Sequence, residues 1–199
     1  MAGECGLSCR VLIIPEDPSY NGYILRPLIS RLLRECGRGN AKVSVLTNPK
    51  VSGFEHACGK LREIVEAYSH FDAMLFLPDA DGKDRAPLFT RLESEFSPKL
   101  ICCAAVQEVE AWLLAGHTEK LGVSWAAIRN DASVKENVFS GFLDEFGDPR
   151  QPGGGRERLM VEALGNLRGL LDRCPELAEL QKRIGGALAL SSLIRRDED

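Results

Sequence analysis

Leu75-Phe76-Leu77-Pro78-Asp79-Ala80-Asp81-Gly82-Lys83-Asp84 is the stretch whose reading decides the fold. It reads as a buried strand that runs directly into two acids. That order places both carboxylates at the carboxyl end of the strand, where an open α/β sheet keeps its ligand crevice. Two acids so close repel each other and lose hydration, so each makes ionisation of the other harder unless a cation lies between them. Carboxylate oxygens and water are the natural ligands of Mg²⁺ or Mn²⁺. Taken alone, Asp-Ala-Asp-Gly also reads as a polar turn, because Asp and Gly are common turn residues.

The chain on either side favours the crevice. Residues 9–15 are nearly all apolar and β-branched, which predicts a first strand, followed at once by Glu16 and Asp17. Asp17-Pro18-Ser19 and Asn21-Gly22 mark a loop. From Leu25 the apolar spacing turns helical through Cys36, with Pro27 expected in the first turn because it lacks an N–H. A strand is predicted over 42–46, a helix over 55–69, the central strand over 73–77, a helix over 86–96, a strand over 100–106 and a helix over 108–115. Such β-α alternation implies a parallel sheet with helices on its faces. Beyond residue 117 the strands stop. Helical patches surround Trp125 and residues 139–146, and a breaker-rich flexible loop covers 147–155. One long helix spans 156–174, and a last helix from Pro175 is interrupted at Gly185-Gly186. The tail from Arg195 is expected to fray. The expected organisation is an α/β domain over 1–116 with a helical extension, 117–199, packed on it.

On that scheme Glu16 and Asp17 follow strand one, Asp79 and Asp81 follow strand three, and Glu108 and Glu110 follow strand four. In a parallel sheet these carboxyl ends share one edge, so acids distant in the chain meet in one crevice. Without a cation the gathering is electrostatically costly. Residues i and i+2 diverge on a helix, so only one of Glu108 and Glu110 faces the centre, and Glu110 is favoured. Trp112 reads as core.

The glutamate after strand one and the D-x-D after strand three, in an alternation of this size, resemble the TOPRIM domain. That fold occurs in topoisomerases, primases and the overcoming-lysogenization-defect nucleases. More closely, Glu16-Asp-Pro-Ser-Tyr-Asn-Gly-Tyr-Ile-Leu-Arg-Pro-Leu, Asp79-Ala-Asp-Gly and Ala105-Val-Gln-Glu-Val-Glu-Ala-Trp-Leu-Leu-Ala resemble a family of bacterial TOPRIM-like proteins, often encoded beside ATPases in anti-phage defence modules. The resemblance covers roughly residues 9–116. It implies a TOPRIM-like parallel sheet and a Mg²⁺-dependent (or Mn²⁺-dependent) nuclease acting on DNA or RNA. Glu16, Asp79, Asp81 and Glu110 would be its catalytic residues, and these four with Glu108 its metal ligands. It also implies an ATPase partner chain. Where many family members have glycine before the first glutamate this chain has Pro15, which offers no N–H to a phosphate.

Candidate substrate contacts are Lys83, beside the D-x-D, and Arg156 and Arg158, which begin a helix after three glycines, where a helix N-terminus attracts phosphate. His56 and His70 read as surface residues and His117 as a loop residue, and none has metal-ligand spacing. No G-x-S-x-G or Walker motif is present, so an ATPase would be another chain.

Composition and charge bound these readings. The 199 residues suffice for one domain with a real core plus an appendage. A net charge of −4 argues against coating nucleic acid by bulk charge, but not against contact through metal ions. The seven cysteines are scattered without paired C-x-x-C units, which predicts reduced thiols rather than a zinc ribbon; Cys5-x-x-x-Cys9 has no matching partner. No apolar run reaches the ~18 residues of a membrane span, and no secretory pattern opens the sequence. A cytoplasmic protein without membrane contact is expected, with self-association open. Two other readings compete. One is a silent TOPRIM-like scaffold that binds a partner. The other is a receiver-like Mg²⁺-binding signalling domain, which needs a lysine after a fifth strand.

Overall fold

A computed structural model describes the backbone of residues 9–197 and the side chains of residues 9–189. Among these residues, four strands, β1 (Arg10–Ile14), β2 (Lys42–Val45), β3 (Ala73–Phe76) and β4 (Leu100–Cys102), form one all-parallel sheet in the order β2-β1-β3-β4. The register sets Ile13 beside Val45, Ile14 beside Phe76 and Phe76 beside Cys102. Helices α1 (Asn21–Glu35), α2 (Phe54–Ala67) and α3 (Ala86–Glu95) make the crossovers, and α4 (Glu110–Leu114) follows β4. The extension contains α5 (Trp125–Asn130), α6 (Ser140–Phe146), α7 (Arg156–Ala163), α8 (Leu167–Arg173) and α9 (Pro175–Asp197). This is the α/β architecture expected from the alternation, and it is consistent with a TOPRIM-like fold.

Alternate strand residues feed two cores. Val11, Ile13, Leu75 and Ile101 face α1, α4 and the extension; Leu12, Ile14, Met74 and Phe76 face α2 and α3. Because strand side chains alternate in direction, both faces of the sheet are buried, which is why these strands are continuously apolar. The extension therefore closes one face of the sheet. Trp112, fully buried in that layer, donates its Nε1 hydrogen to Glu176 at 2.9 Å.

Several elements depart from the expected bounds. Helix α1 starts at Asn21, not Leu25, so Asn21-Gly22 is helical and Pro27 lies in the helix interior. Packing overrides the breaker residues here: Asn21 is buried, and Gly22 lies so close to Val45 that an added Cβ would come within 3.2 Å of its side chain. The strand expected over 100–106 ends at Cys102, and residues 103–107 continue beside β3 through single contacts, including an isolated Asp79–Ala105 bridge. The helix expected over 156–174 breaks into α7 and α8, because Asn166 leaves the helical path and its side chain caps α8 at the Gly169 N–H, 3.0 Å away. Helix α9 runs through Gly185-Gly186 without interruption and on to Asp197, past the point where fraying was expected; residues 198 and 199 lie outside the described residues. Two interior glycines cost only about 1 kcal/mol each, less than the apolar face of such a helix contributes. The 147–155 loop is not open chain: Gly153, Gly154 and Gly155 make a left-handed turn with φ of 67°, 65° and 87°, and Gly153 rests on the Tyr23 ring, where a Cβ would approach to 2.4 Å.

His56 and His70 are exposed, as expected. His117 is not a loop-surface residue: it is 3% exposed, its Nε2 lies 2.9 Å from the Leu159 carbonyl, and its ring packs on Phe142. Cys36, Cys58, Cys102, Cys103 and Cys174 are free thiols, Cys9 is buried, and Cys5 lies outside the described residues. No helix among the described residues is long and apolar enough to cross a membrane.

Candidate metal centre

The strand order makes β1 and β3 neighbours whose connections leave in opposite directions: β1 leads through α1 to β2 on one side, and β3 leads through α3 to β4 on the other. That is a topological switch point, and a crevice opens at its carboxyl end. Glu16 lies just beyond β1 and Asp79 just beyond β3. The two are joined directly, the Asp79 backbone N–H donating to Glu16 Oε2 at 3.4 Å.

Asp79 is 8% exposed. Its Oδ1 accepts the Val109 N–H at 2.7 Å, so this carboxylate satisfies a backbone donor at the start of α4 from the neighbouring strand. Val109 already has helical backbone angles and the Glu108 carbonyl accepts the Ala111 N–H at 3.0 Å, so Asp79 meets a donor in the turn that opens α4. Glu110 is 1% exposed, and neither carboxylate oxygen has a hydrogen-bond partner among the described residues. Its nearest counter-charge, Lys135 Nζ, stands 3.8 Å from Oε1, too far for a hydrogen bond. Glu108 is half-buried and accepts the Lys135 backbone N–H at 2.7 Å, so the same residue meets both acids.

Burial pushes the Asp79 carboxyl up to about 8, with the negative charges of Glu16, Glu110 and Glu108 adding to it and the Val109 N–H opposing it. Burial also raises Glu110, against its own backbone N–H, which lies near the carboxylate but short of hydrogen-bond geometry, and the charges of Lys135 and Arg156; it raises Glu108 against the Lys135 N–H. Glu16 is raised by burial and by Asp81, against the N–H of Asp79. Four carboxyls raised together mark a pocket with surplus negative charge and too few donors.

Asp81 belongs only to the rim. It is exposed, with a backbone φ of 51°, and Gly82 follows at φ 67°. This left-handed pair turns the D-x-D away from strand geometry, in which both carboxylates would share one face. The turn is held by the Gln107 carbonyl, which accepts the N–H groups of Ala80 at 3.1 Å and Asp81 at 3.2 Å.

The expected substrate contacts fare unevenly. Lys83 is exposed on the rim of the turn. Arg156 lies at the centre's flank, its guanidinium over the Tyr20 ring at 4.7 Å and the Phe139 ring at 5.3 Å, with Nη1 donating to the Gly153 carbonyl at 2.7 Å. Arg158 does not join it. Two residues further along α7 it faces away, paired with Glu162 and donating to the Phe146 carbonyl. Two cations were missed: Lys135, and Arg85, whose guanidinium reaches Asp81 Oδ2 at 3.5 Å. Lys135 opens a π-helical turn (Lys135–Phe139), a feature frequent at functional sites but without a sequence signature.

The donor set suits a hard cation. Every donor is a carboxylate oxygen, no thiol or imidazole intrudes, and the orphaned oxygens of Glu110 are buried acceptors that a cation would satisfy. Among the described residues no three His, Cys, Asp or Glu side chains stand together closely enough to hold a metal ion, so these acids would have to draw together around one, with water or substrate completing the shell. Comparison of this chain with protein-family models, curated proteins and solved structures finds no match.

Proposed function

We propose that this protein is a divalent-cation-dependent phosphodiesterase of nuclease type, using Mg²⁺ or Mn²⁺ at Glu16, Asp79 and Glu110. The observation that carries this reading is the fully buried, hydrogen-bond-free carboxylate of Glu110 beside Asp79 at the β1/β3 switch point. A folded chain leaves a buried carboxylate without hydrogen-bond donors only where something else repays it. When bound, the ion supplies charge neutralisation at phosphoryl oxygens and acidifies a water.

The side chains divide the remaining work. Asp79 and Glu110 hold the cation, with Asp79 fixed by the Val109 N–H. Glu16 is half-buried with a raised pKa, which suits a group that takes a proton from water near neutral pH. Asp81 and Glu108 add negative charge at the rim. Lys135 offsets part of the charge of Glu110, against the burial that raises this carboxyl. The family resemblance extends the proposal to a partner ATPase that gates the activity in a bacterial defence module, and that extension rests on the resemblance alone. The receiver-like reading lacks its required element: among the described residues the chain after β4 enters α4 and no fifth strand follows.

The test is cleavage of plasmid, single-stranded DNA and total RNA with Mg²⁺ or Mn²⁺, with wild type beside Asp79→Ala and Glu16→Ala. The expected result is cleavage by wild type, with loss of about 10²-fold or more in each variant, the usual scale for removing an acid–base or metal-holding group. Equal cleavage by the variants would overturn the reading. A silent wild type that also binds no divalent cation would favour the scaffold.

A further inference from the structure

Arg85 stands on the far side of the acid cluster from Glu110, at the residue before α3. Its side chain is only 12% exposed. The guanidinium carbon lies over the Phe54 ring, 3.5 Å from its centroid, which braces it. Among the described residues it donates no hydrogen bond: its Nε is buried without a partner, and its approach to Asp81 Oδ2, 3.5 Å, is charge contact only. Its charge is also felt at Glu16. A guanidinium mostly removed from water, with its Nε buried and unmatched and its terminal nitrogens making no hydrogen bond among the described residues, is a costly arrangement for a purely structural residue. Two other partly buried arginines are matched, Arg129 by two hydrogen bonds to Glu176 and Arg183 by Glu93 and the Cys102 carbonyl; Arg156 shares an unmatched Nε but donates Nη1 to the Gly153 carbonyl.

We infer that Arg85 is the substrate-phosphate residue of this site, presenting its open fork, braced by Phe54, to a phosphoryl group beside the acids at 16, 79 and 81. The inference rests on the phosphodiesterase reading and adds to it the group that recognises the anion. A planar guanidinium is matched geometrically to phosphate oxygens, and a ring beneath it lowers the entropy lost when it binds. Glu16 and Asp81 keep the fork within reach of the acids without saturating it. The arrangement lets one pocket hold a cation on carboxylates and an anion on an arginine, as phosphoryl chemistry requires.

The test uses inorganic phosphate as the probe, titrated with Mg²⁺ present, and Mg²⁺ titrated alone, on wild type, Arg85→Met and Arg85→Lys. Met keeps the packing on Phe54 without charge, and Lys keeps the charge without the fork, so a misfolded variant is recognised by comparison with the other. The expected result is that both variants bind Mg²⁺ within about twofold of wild type while phosphate affinity falls ~10-fold or more in Arg85→Met and less in Arg85→Lys, the scale of charge-assisted hydrogen bonds. Phosphate binding unchanged in both variants would overturn the role of Arg85 and leave the phosphodiesterase reading standing. Wild type that binds neither Mg²⁺ nor phosphate would overturn both together. Parallel loss of Mg²⁺ and phosphate in Arg85→Lys would show a residue that merely positions Asp81, and would also overturn the inference.

Discussion

Asp79→Asn raises the unfolding temperature at pH 8 in the absence of divalent cations and abolishes the stabilisation that Mg²⁺ gives to the wild type. Proton linkage is the cause. The Asp79 carboxyl is raised from 3.8 to about 8 by burial and by the charges of Glu16, Glu110 and Glu108. Between those two values the folded state holds a proton that the unfolded chain releases, so stability falls as pH rises through this window. Asparagine has no proton to lose, and its Oδ1 still accepts the Val109 N–H. The gain over wild type is therefore largest at pH 8, shrinks as pH falls and vanishes below the ordinary carboxyl value of 3.8. A gain of about 2 kcal/mol corresponds to roughly 4–8 °C in a chain of this size. Thermal melts at pH 4, 6 and 8, with and without Mg²⁺, check it. An unchanged or lower melting temperature at pH 8, with the Mg²⁺ response intact, would contradict the assignment. Stability gained at the expense of function is the behaviour expected of a site residue.

Glu176→Ala is expected to cost ~3 kcal/mol, lowering the unfolding temperature by about 6–12 °C. Glu176 sits in the first turn of α9, where the helix dipole favours an acid. Its carboxylate accepts Arg129 Nη1 at 2.6 Å and Nη2 at 3.1 Å, and Trp112 Nε1 at 2.9 Å. Both ends of the ion pair are mostly buried, with side-chain exposures of 21% and 15%. Removing the carboxylate leaves a charged fork and an indole N–H without acceptors in a poorly solvated place. Glu176→Gln retains an acceptor for Trp112 and should lose less. Replacing Arg129 and Glu176 together by Met and Leu should recover much of the loss, because no lone buried charge remains. Chemical denaturation of the four proteins checks these values. Equal stability of Glu176→Ala and wild type would mean that the pair fastens nothing. The same pair steadies the site from a distance, since the Arg129 carbonyl accepts Gln107 Nε2 at 3.3 Å and the Gln107 carbonyl holds the turn at Asp81.

The sheet and the gathering of acids could be read from the chain because both arise from short-range pattern. Continuous apolar runs such as Val11–Ile14 and Ala73–Phe76 fit strands buried on both faces, and parallel strands bring the residues just past their carboxyl ends to one edge. Helical angle implies that only one of Glu108 and Glu110 faces inward, and the place of Glu110 directly before Ala111-Trp112 favours it; Glu110 is the buried one of the two. The features that could not be read came from long-range packing. Lys135 reaches Glu110 only because a π-turn in the extension lies against α4, and Arg85 acquires meaning only over Phe54. Arg158 was misplaced because adjacent helical residues of like type point in different directions, and only the neighbours of α7 decide which faces the site. The early start of α1 and the unbroken α9 show tertiary burial overriding Gly and Asn propensities.

The most direct test of the centre is calorimetric titration of Mn²⁺ into wild type and Asp79→Asn at neutral pH, in two buffers of different ionisation enthalpy. With the Asp79 carboxyl raised to about 8, most molecules carry a proton there before the cation arrives, so binding to wild type should release close to one proton. Asp79→Asn should bind at least about tenfold more weakly, with no such release. No cation uptake by wild type, or equal affinity in the two proteins, would contradict the assignment of Glu16, Asp79 and Glu110 as a metal centre.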